Sequence, residues 1–159
     1  MNSTTPQEEP RQGVLVIAID KDDFVTLVRE QRMVRRGEEI QWSLPGGPLE
    51  PKESFEKAAA RKLLEKTGLA GDLTFFAKRG TPSRSTWELQ CYIAKKAKSK
   101  GQASEQLETK SVPLFEAVQM ALEGSIENDF ASLCLIRYAQ RTNRLEIIEK
   151  ELDPRLRYD

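Results

Sequence analysis

Trp42-Ser-Leu-Pro-Gly-Gly-Pro-Leu-Glu-Pro-Lys-Glu53-Ser-Phe-Glu56-Lys-Ala-Ala-Ala-Arg61-Lys62-Leu-Leu-Glu65-Lys66-Thr-Gly68-Leu69 is the stretch that decides the fold. It reads as a strand ending in a Gly-Gly turn, then a short loop, then a helix. Ser54 to Thr67 holds Ala58, Ala59, Ala60, Leu63 and Leu64 with no internal Gly or Pro, and Gly68 stands where a C-terminal cap belongs. Gly46 and Gly47 let backbone approach a ligand closely, and exposed amides nearby can receive phosphate oxygens. On a helix, positions 62, 65 and 66 lie at i, i+3 and i+4 and project to one side. Taken locally, this is either a loop–helix anion site built on Lys62, Glu65 and Lys66 or a solvated Lys-Glu-Lys face.

Upstream, residues 1–12 are rich in Asn, Ser, Thr, Pro and Gln and read as a disordered arm. Gly13 to Asp20 is a strand too apolar to be exposed on both faces, and Phe24 to Arg29 returns as a second. Arg32 to Glu39 is charged, contains Gly37 and reads as a loop; Ile40 to Leu44 is a short strand stopping at Pro45. Downstream, strands are expected at Leu73–Lys78, Trp87–Ala94 and Thr109–Pro113, with Lys95 to Ser104 a Lys/Ser/Gly-rich connection. Phe115–Leu122 and Asp129–Arg141 read as helices separated by Gly124. The expected organisation is one α/β (α+β) domain over 13–142, followed by a helix or tail over 143–159 whose Leu145–Leu152 segment is amphipathic.

The chain has 159 residues, a length that suits one domain. Its 25 Lys+Arg balance 25 Asp+Glu, which argues against binding to nucleic acid mainly by charge. The absence of His excludes Ser-His-Asp and Cys-His catalysis, His-ligated zinc and haem, and a histidine pH switch. Cys91 and Cys134 lie far apart in apolar stretches and read as buried, reduced thiols. No apolar run is long enough to span a bilayer, and the polar N-terminus is no signal peptide, so a soluble cytoplasmic protein is expected.

The same stretch resembles the signature of the Nudix superfamily, G-x5-E-x7-R-E-U-x-E-E-x-G-U, with U a bulky aliphatic. Counted from Gly47, the chain supplies Glu53, Arg61, Leu63, Glu65, Gly68 and Leu69 at the required spacings. Leu27-Val-Arg-Glu-Gln-Arg32, the Thr81–Ser85 loop and Gly124–Asp129 are similar to segments of the ADP-ribose and nucleoside-diphosphate-sugar pyrophosphatase subgroup. The resemblance implies an α/β/α sandwich around a mixed sheet, a nucleoside diphosphate derivative such as ADP-ribose as ligand, and Mg or Mn as cofactor if the protein is active. Arg32 matches an arginine of the subgroup and is a candidate ligand contact, alongside Gly46 and Gly47. A homodimer is left open; neither nucleic acid nor membrane is an expected partner.

Departures from the signature carry the chemistry. Two glutamates that in the family bind divalent metal or activate water are replaced by Lys62 and Lys66. Glu65 alone remains of that cluster, and Glu105, in the loop Ser104–Glu108, is the candidate for the distant catalytic carboxylate and second metal ligand. Trp87 stands where the subgroup has an acidic residue; it is a stacking surface for a base or ribose, or a core-facing strand residue. Arg84 is a phosphate contact or a solvated loop arginine. Two unit charges about 4 Å apart interact by roughly 4 kcal/mol at an effective dielectric near 20, so two ammoniums beside Glu65 repel Mg²⁺ strongly. The expectation is a site in which Lys62 and Lys66 bind diphosphate directly and hydrolysis is lost or weakened. The alternatives are an active Mg- or Mn-dependent hydrolase using Glu65 and Glu105, with Glu56 or Glu108 recruited, and an RNA- or protein-binding Nudix-fold module using Lys95, Lys96, Lys98 and Lys100.

Overall fold

The computed structural model describes residues 11–30, 41–79, 88–105 and 107–144. The chain runs β1 (Gln12–Ala18), β2 (Phe24–Glu30), β3 (Gly46–Pro48), α1 (Phe55–Thr67), β4 (Leu69–Lys78), β5 (Glu88–Ser99), β6 (Leu107–Pro113), α2 (Leu114–Leu122) and α3 (Asp129–Arg141). Four strands form a mixed sheet in the order β3-β1-β5-β4, with β1 and β5 parallel and the other pairs antiparallel. The β2 and β6 strands form a separate antiparallel ribbon.

Strand β1 explains the layering. Val14, Val16 and Ala18 face one way, into a cluster with Ala58, Ala59 and Leu63 of α1 and with Tyr92 and Ala94 of β5. Leu15, Ile17 and Ile19 face the other way, into a larger cluster with Val25 and Leu27 of β2 and with apolar residues of α2 and α3. A strand buried on both faces must be apolar throughout, which is what Gly13–Ile19 shows. The helix α1 begins at Ser54, whose Oγ accepts from the Lys57 amide at 3.2 Å. It ends at Gly68, whose φ of 73° is the left-handed cap and whose amide donates to the Leu64 carbonyl at 2.9 Å. Asn128 caps α3 in the same manner, its Oδ1 accepting from the amides of Phe130 and Ala131.

Two expectations are corrected. The strand expected over 40–44 is reduced, among the described residues, to single bridges at Trp42 and Ser43; the regular ladder is Gly46–Pro48 against β1. Gly46 makes that ladder possible, since a Cβ there would stand 2.1 Å from the Val14 carbonyl oxygen. The connection expected from Lys95 is strand as far as Ser99. Its lysines point outward while Ala97 packs on the α1-side cluster, and an irregularity opposite Ala70 and Asp72 is absorbed by Lys96 at a φ of 54°. Cys91 of β5 and Cys134 of α3 are free and buried. The neighbouring Cys134 thiol and burial hold the Cys91 thiol well above its usual range. Of the arm expected over 1–12, residues 1–10 lie outside the described residues, as does the amphipathic segment from 145, while Gln12 is corrected to the first residue of β1, paired with Glu88 of β5. Among the described residues, no helix is long and apolar enough to cross a membrane.

Candidate functional site

The Gly-Gly turn and α1 are bound by one arginine. Arg61 donates from Nε to Glu53 Oε2 at 2.8 Å and from Nη2 to Glu53 Oε1 at 2.7 Å, a fork on a carboxylate. The same guanidinium reaches the Pro48 carbonyl at 3.1 Å and Glu65 Oε1 at 3.1 Å. Glu53 also accepts from the Glu50 amide at 3.0 Å, which closes the loop before the helix. The Arg61 bond is the main reason the Glu53 carboxyl is held down at about 2, and the pairing raises the Arg61 pKa in turn.

One residue further along α1, the Lys62 stem lies across Gly47: a Cβ at Gly47 would meet Lys62 Cε at 2.8 Å and Cδ at 3.1 Å. The ammonium stands 3.2 Å from Glu65 Oε2 and 4.0 Å from Glu105 Oε1. Glu65 therefore has both oxygens engaged, one by Arg61 and one by Lys62. Burial pushes its pKa up, but these two cations outweigh it and the net shift is downward. Lys66, one turn beyond Lys62, makes no ion pair among the described residues and sits in the last turn, where the helix dipole favours a cation. Glu105 reaches the site because its loop is tied to the C-terminal end of α1. The amides of Ser104 and Glu105 donate to the Glu65 carbonyl at 2.9 and 3.1 Å, and those of Lys100 and Gly101 donate to the Gly68 carbonyl at 2.9 and 3.2 Å.

A divalent metal does not fit this donor set. Glu53 is consumed by Arg61, Glu65 by Arg61 and Lys62, and Glu105 faces the same ammonium. Among the described residues, no three His, Cys, Asp or Glu side chains are gathered where they would hold a metal ion. The two carboxylates considered as substitutes do not fill the gap. Glu108 is paired with Arg29 across the β2–β6 ladder, and that guanidinium lies 4.4 Å from the Trp42 ring centroid. Glu56 is an exposed residue of the first turn of α1. The cluster can hold an anion through lysine charge, with no described group placed to activate water by metal.

Gly46, Gly47, Lys62, Glu65, Lys66 and Glu105 thus belong to one locality, whereas Arg32, Arg84 and Trp87 lie outside the described residues. Next to Gly47 an open pocket of about 240 Å³ is lined by Gly13, Leu15, Arg79, Leu89 and Asn128. Sequence reasoning passed over Arg79 and Asn128. Asn128 had a signal, since Asn directly before a helix is a capping residue held in a fixed place; Arg79 had none.

The NUDIX domain model matches residues 9–131, and the chain belongs to that family. Hydrolases of the family generally use divalent metals such as Mg or Mn. Among solved structures the chain is similar to an ADP compounds hydrolase, at a TM-score of 0.67 and 24% identity, covering 87% of this chain and 78% of that one. It is also similar to a MutT from Aliivibrio salmonicida or Vibrio cholerae, at a TM-score of 0.64 and 16% identity, covering 84% and 99%. At those identities the likeness is one of fold. A Bacillus subtilis (strain 168) protein named "Putative 8-oxo-dGTP diphosphatase" is 36% identical over 77 residues, 48% of this chain and 46% of that protein. The match therefore spans about half the length of that relative.

Proposed function

We propose that this protein binds a nucleoside diphosphate derivative of the ADP-ribose kind and that its metal-dependent hydrolysis is lost or weakened. The observation that carries the reading is the Lys62 ammonium lodged between Glu65 and Glu105 over Gly47. Family hydrolysis relies on divalent cations that neutralise the diphosphate and polarise a water. Here a fixed monovalent cation supplies part of the first role and none of the second, and Lys66 adds a second positive charge one turn away. The pocket beside Gly47, with Arg79 and Asn128 among its lining residues, is the reading's place for the base or sugar.

The partial match to the Bacillus protein favours a second reading, cleavage of a nucleoside triphosphate with metal drawn in by the ligand's own phosphates. Calorimetric titration of ADP-ribose, and separately of 8-oxo-dGTP, with Mg²⁺ and then with chelator, followed by analysis of recovered ligand, separates the two. Binding of ADP-ribose in chelator without AMP supports the proposal. Many turnovers to AMP, or to a nucleoside monophosphate from 8-oxo-dGTP, within the titration and only with Mg²⁺ refute it.

A further inference from the structure

Glu105 is held in the site by backbone and yet is only loosely paired there. Its amide and that of Ser104 are fixed on the Glu65 carbonyl, so the base of the side chain cannot leave α1. Its carboxylate, however, stands 4.0 Å from Lys62 Nζ, the outer limit of an ion pair, and the side chain is 41% exposed. Glu65 is 0.8 Å closer to the same ammonium and is clamped by Arg61 as well. An ammonium has three donors, and Lys62 directs one at Glu65. Of the two carboxylates facing Lys62, Glu105 is the one free to swing aside while the helix keeps its own pairs.

We propose that Glu105 is an internal counter-anion, neither metal ligand nor base: it caps the Lys62 ammonium when the site is empty, and an incoming phosphoryl oxygen must displace it. This rests on the reading of the site as one that binds phosphate through lysine. The displacement sets specificity. A group that replaces a carboxylate must offer the ammonium more negative charge than the carboxylate does, so the site takes diphosphate esters and discriminates against singly charged anions.

The test is calorimetric titration of inorganic pyrophosphate in EDTA into the wild type, Glu105→Gln, Lys62→Met and the double variant, with thermal melts to confirm that each is folded. Exposed ion pairs of this geometry contribute up to about 1 kcal/mol, so Glu105→Gln is expected to bind pyrophosphate roughly fivefold more tightly. The gain shrinks at 0.5 M salt and vanishes on the Lys62→Met background. Unchanged or weakened binding in Glu105→Gln, with the wild type binding normally, overturns the counter-anion role and leaves the lysine site standing. No binding by either the wild type or Glu105→Gln overturns both.

Discussion

Lys62→Gln is the substitution that most directly probes the charge balance of the site. It deletes the ammonium, keeps most of the stem that crosses Gly47, and leaves Glu65 Oε2 and Glu105 Oε1 facing the vacated position from 3.2 and 4.0 Å. Over such separations a unit pair is worth about 1 kcal/mol in bulk water and about 4–5 kcal/mol at an effective dielectric near 20. The side chains of Lys62, Glu65 and Glu105 are 13%, 30% and 41% exposed. Partial exposure moves both pairs toward the lower figure, Glu105 further than Glu65. An incoming divalent ion then gains attraction no longer shared with the ammonium and loses a repulsion of similar size, while Lys66 continues to oppose it. The balance is roughly 1.5–3 kcal/mol, or about 10–100-fold in affinity. The assay is titration of Mn²⁺ followed by the paramagnetic resonance signal of the free ion, with wild type and variant compared at equal ionic strength. Wild type is expected to bind Mn²⁺ weakly, Lys62→Gln 10–100-fold more tightly, and Lys62→Glu/Lys66→Glu more tightly still. Equal Mn²⁺ affinity in wild type and Lys62→Gln would refute the idea that the ammonium governs the cation site.

Other outcomes follow from the same geometry. Gly68→Ala pays for a left-handed φ of 73° and puts a Cβ 2.4 Å from the Gly101 carbonyl oxygen, whereas Gly124→Ala keeps the φ penalty at 77° with nothing within 4 Å. Denaturant melts should show Gly124→Ala losing roughly 1–2 kcal/mol and Gly68→Ala clearly more; equal losses would mean that the Gly101 loop is not packed on the cap. Lys96→Gly relieves a non-glycine φ of 54° and should stabilise by about 1 kcal/mol in the same melts, and a loss would argue against that backbone conformation. Glu53 has its carboxyl lowered from 4.5 to about 2 by Arg61, so the folded state binds fewer protons there than the unfolded chain. Its contribution is complete above pH 4.5 and fades as the pH falls toward 2, and melting temperatures of wild type and Glu53→Gln should converge across that window. A constant gap between them would show that Glu53 is not ionised through its pairing.

Which features were legible in the sequence depends on how far their physical cause reaches along the chain. The helix α1 was legible because Ser54, the alanine run and Gly68 act within a turn of themselves. That β1 is not exposed on both faces was legible from its uninterrupted apolar run, and the structure buries both of them. The ladder at Gly46–Pro48 was not, because it depends on what Gly46 lacks against Val14, a contact across the fold. The continuation of β5 through Lys95–Ser99 was masked by lysines that read as linker, while the strand is fixed by its pairing with β4. In the site, Glu53 and Arg61 were legible as signature positions eight residues apart, and their pairing joins the loop to α1. The resemblance offered Glu105 only as a distant catalytic carboxylate; its approach to Lys62 comes from bonds that join its loop to the Glu65 and Gly68 carbonyls. Glu108, three residues from Glu105, shows the limit: β6 carries it to Arg29 on the other ribbon strand.

The fold and the chemistry of this motif rest on different residues that share one helix. The loop is fastened by Arg61 to Glu53 and to the Pro48 carbonyl, and the helix is seated by Ala58, Ala59 and Leu63 on β1 and β5. None of these contacts involves Lys62 or Lys66, so exchanging charge at those two positions leaves the scaffold's main supports in place. A match to the family therefore measures the scaffold half of the motif and carries little information about the other half. What the other half can do is set by the sign of the charges at 62 and 66 and by what faces them. There, an ammonium between two carboxylates satisfies electrostatically what a metal would otherwise satisfy, without the second positive charge or the open coordination position through which a metal acidifies water. Affinity for phosphate and the power to hydrolyse it are separable for that reason: the first needs only positive charge at the Gly47 turn, and the second needs a group able to lower the pKa of a water molecule beside it.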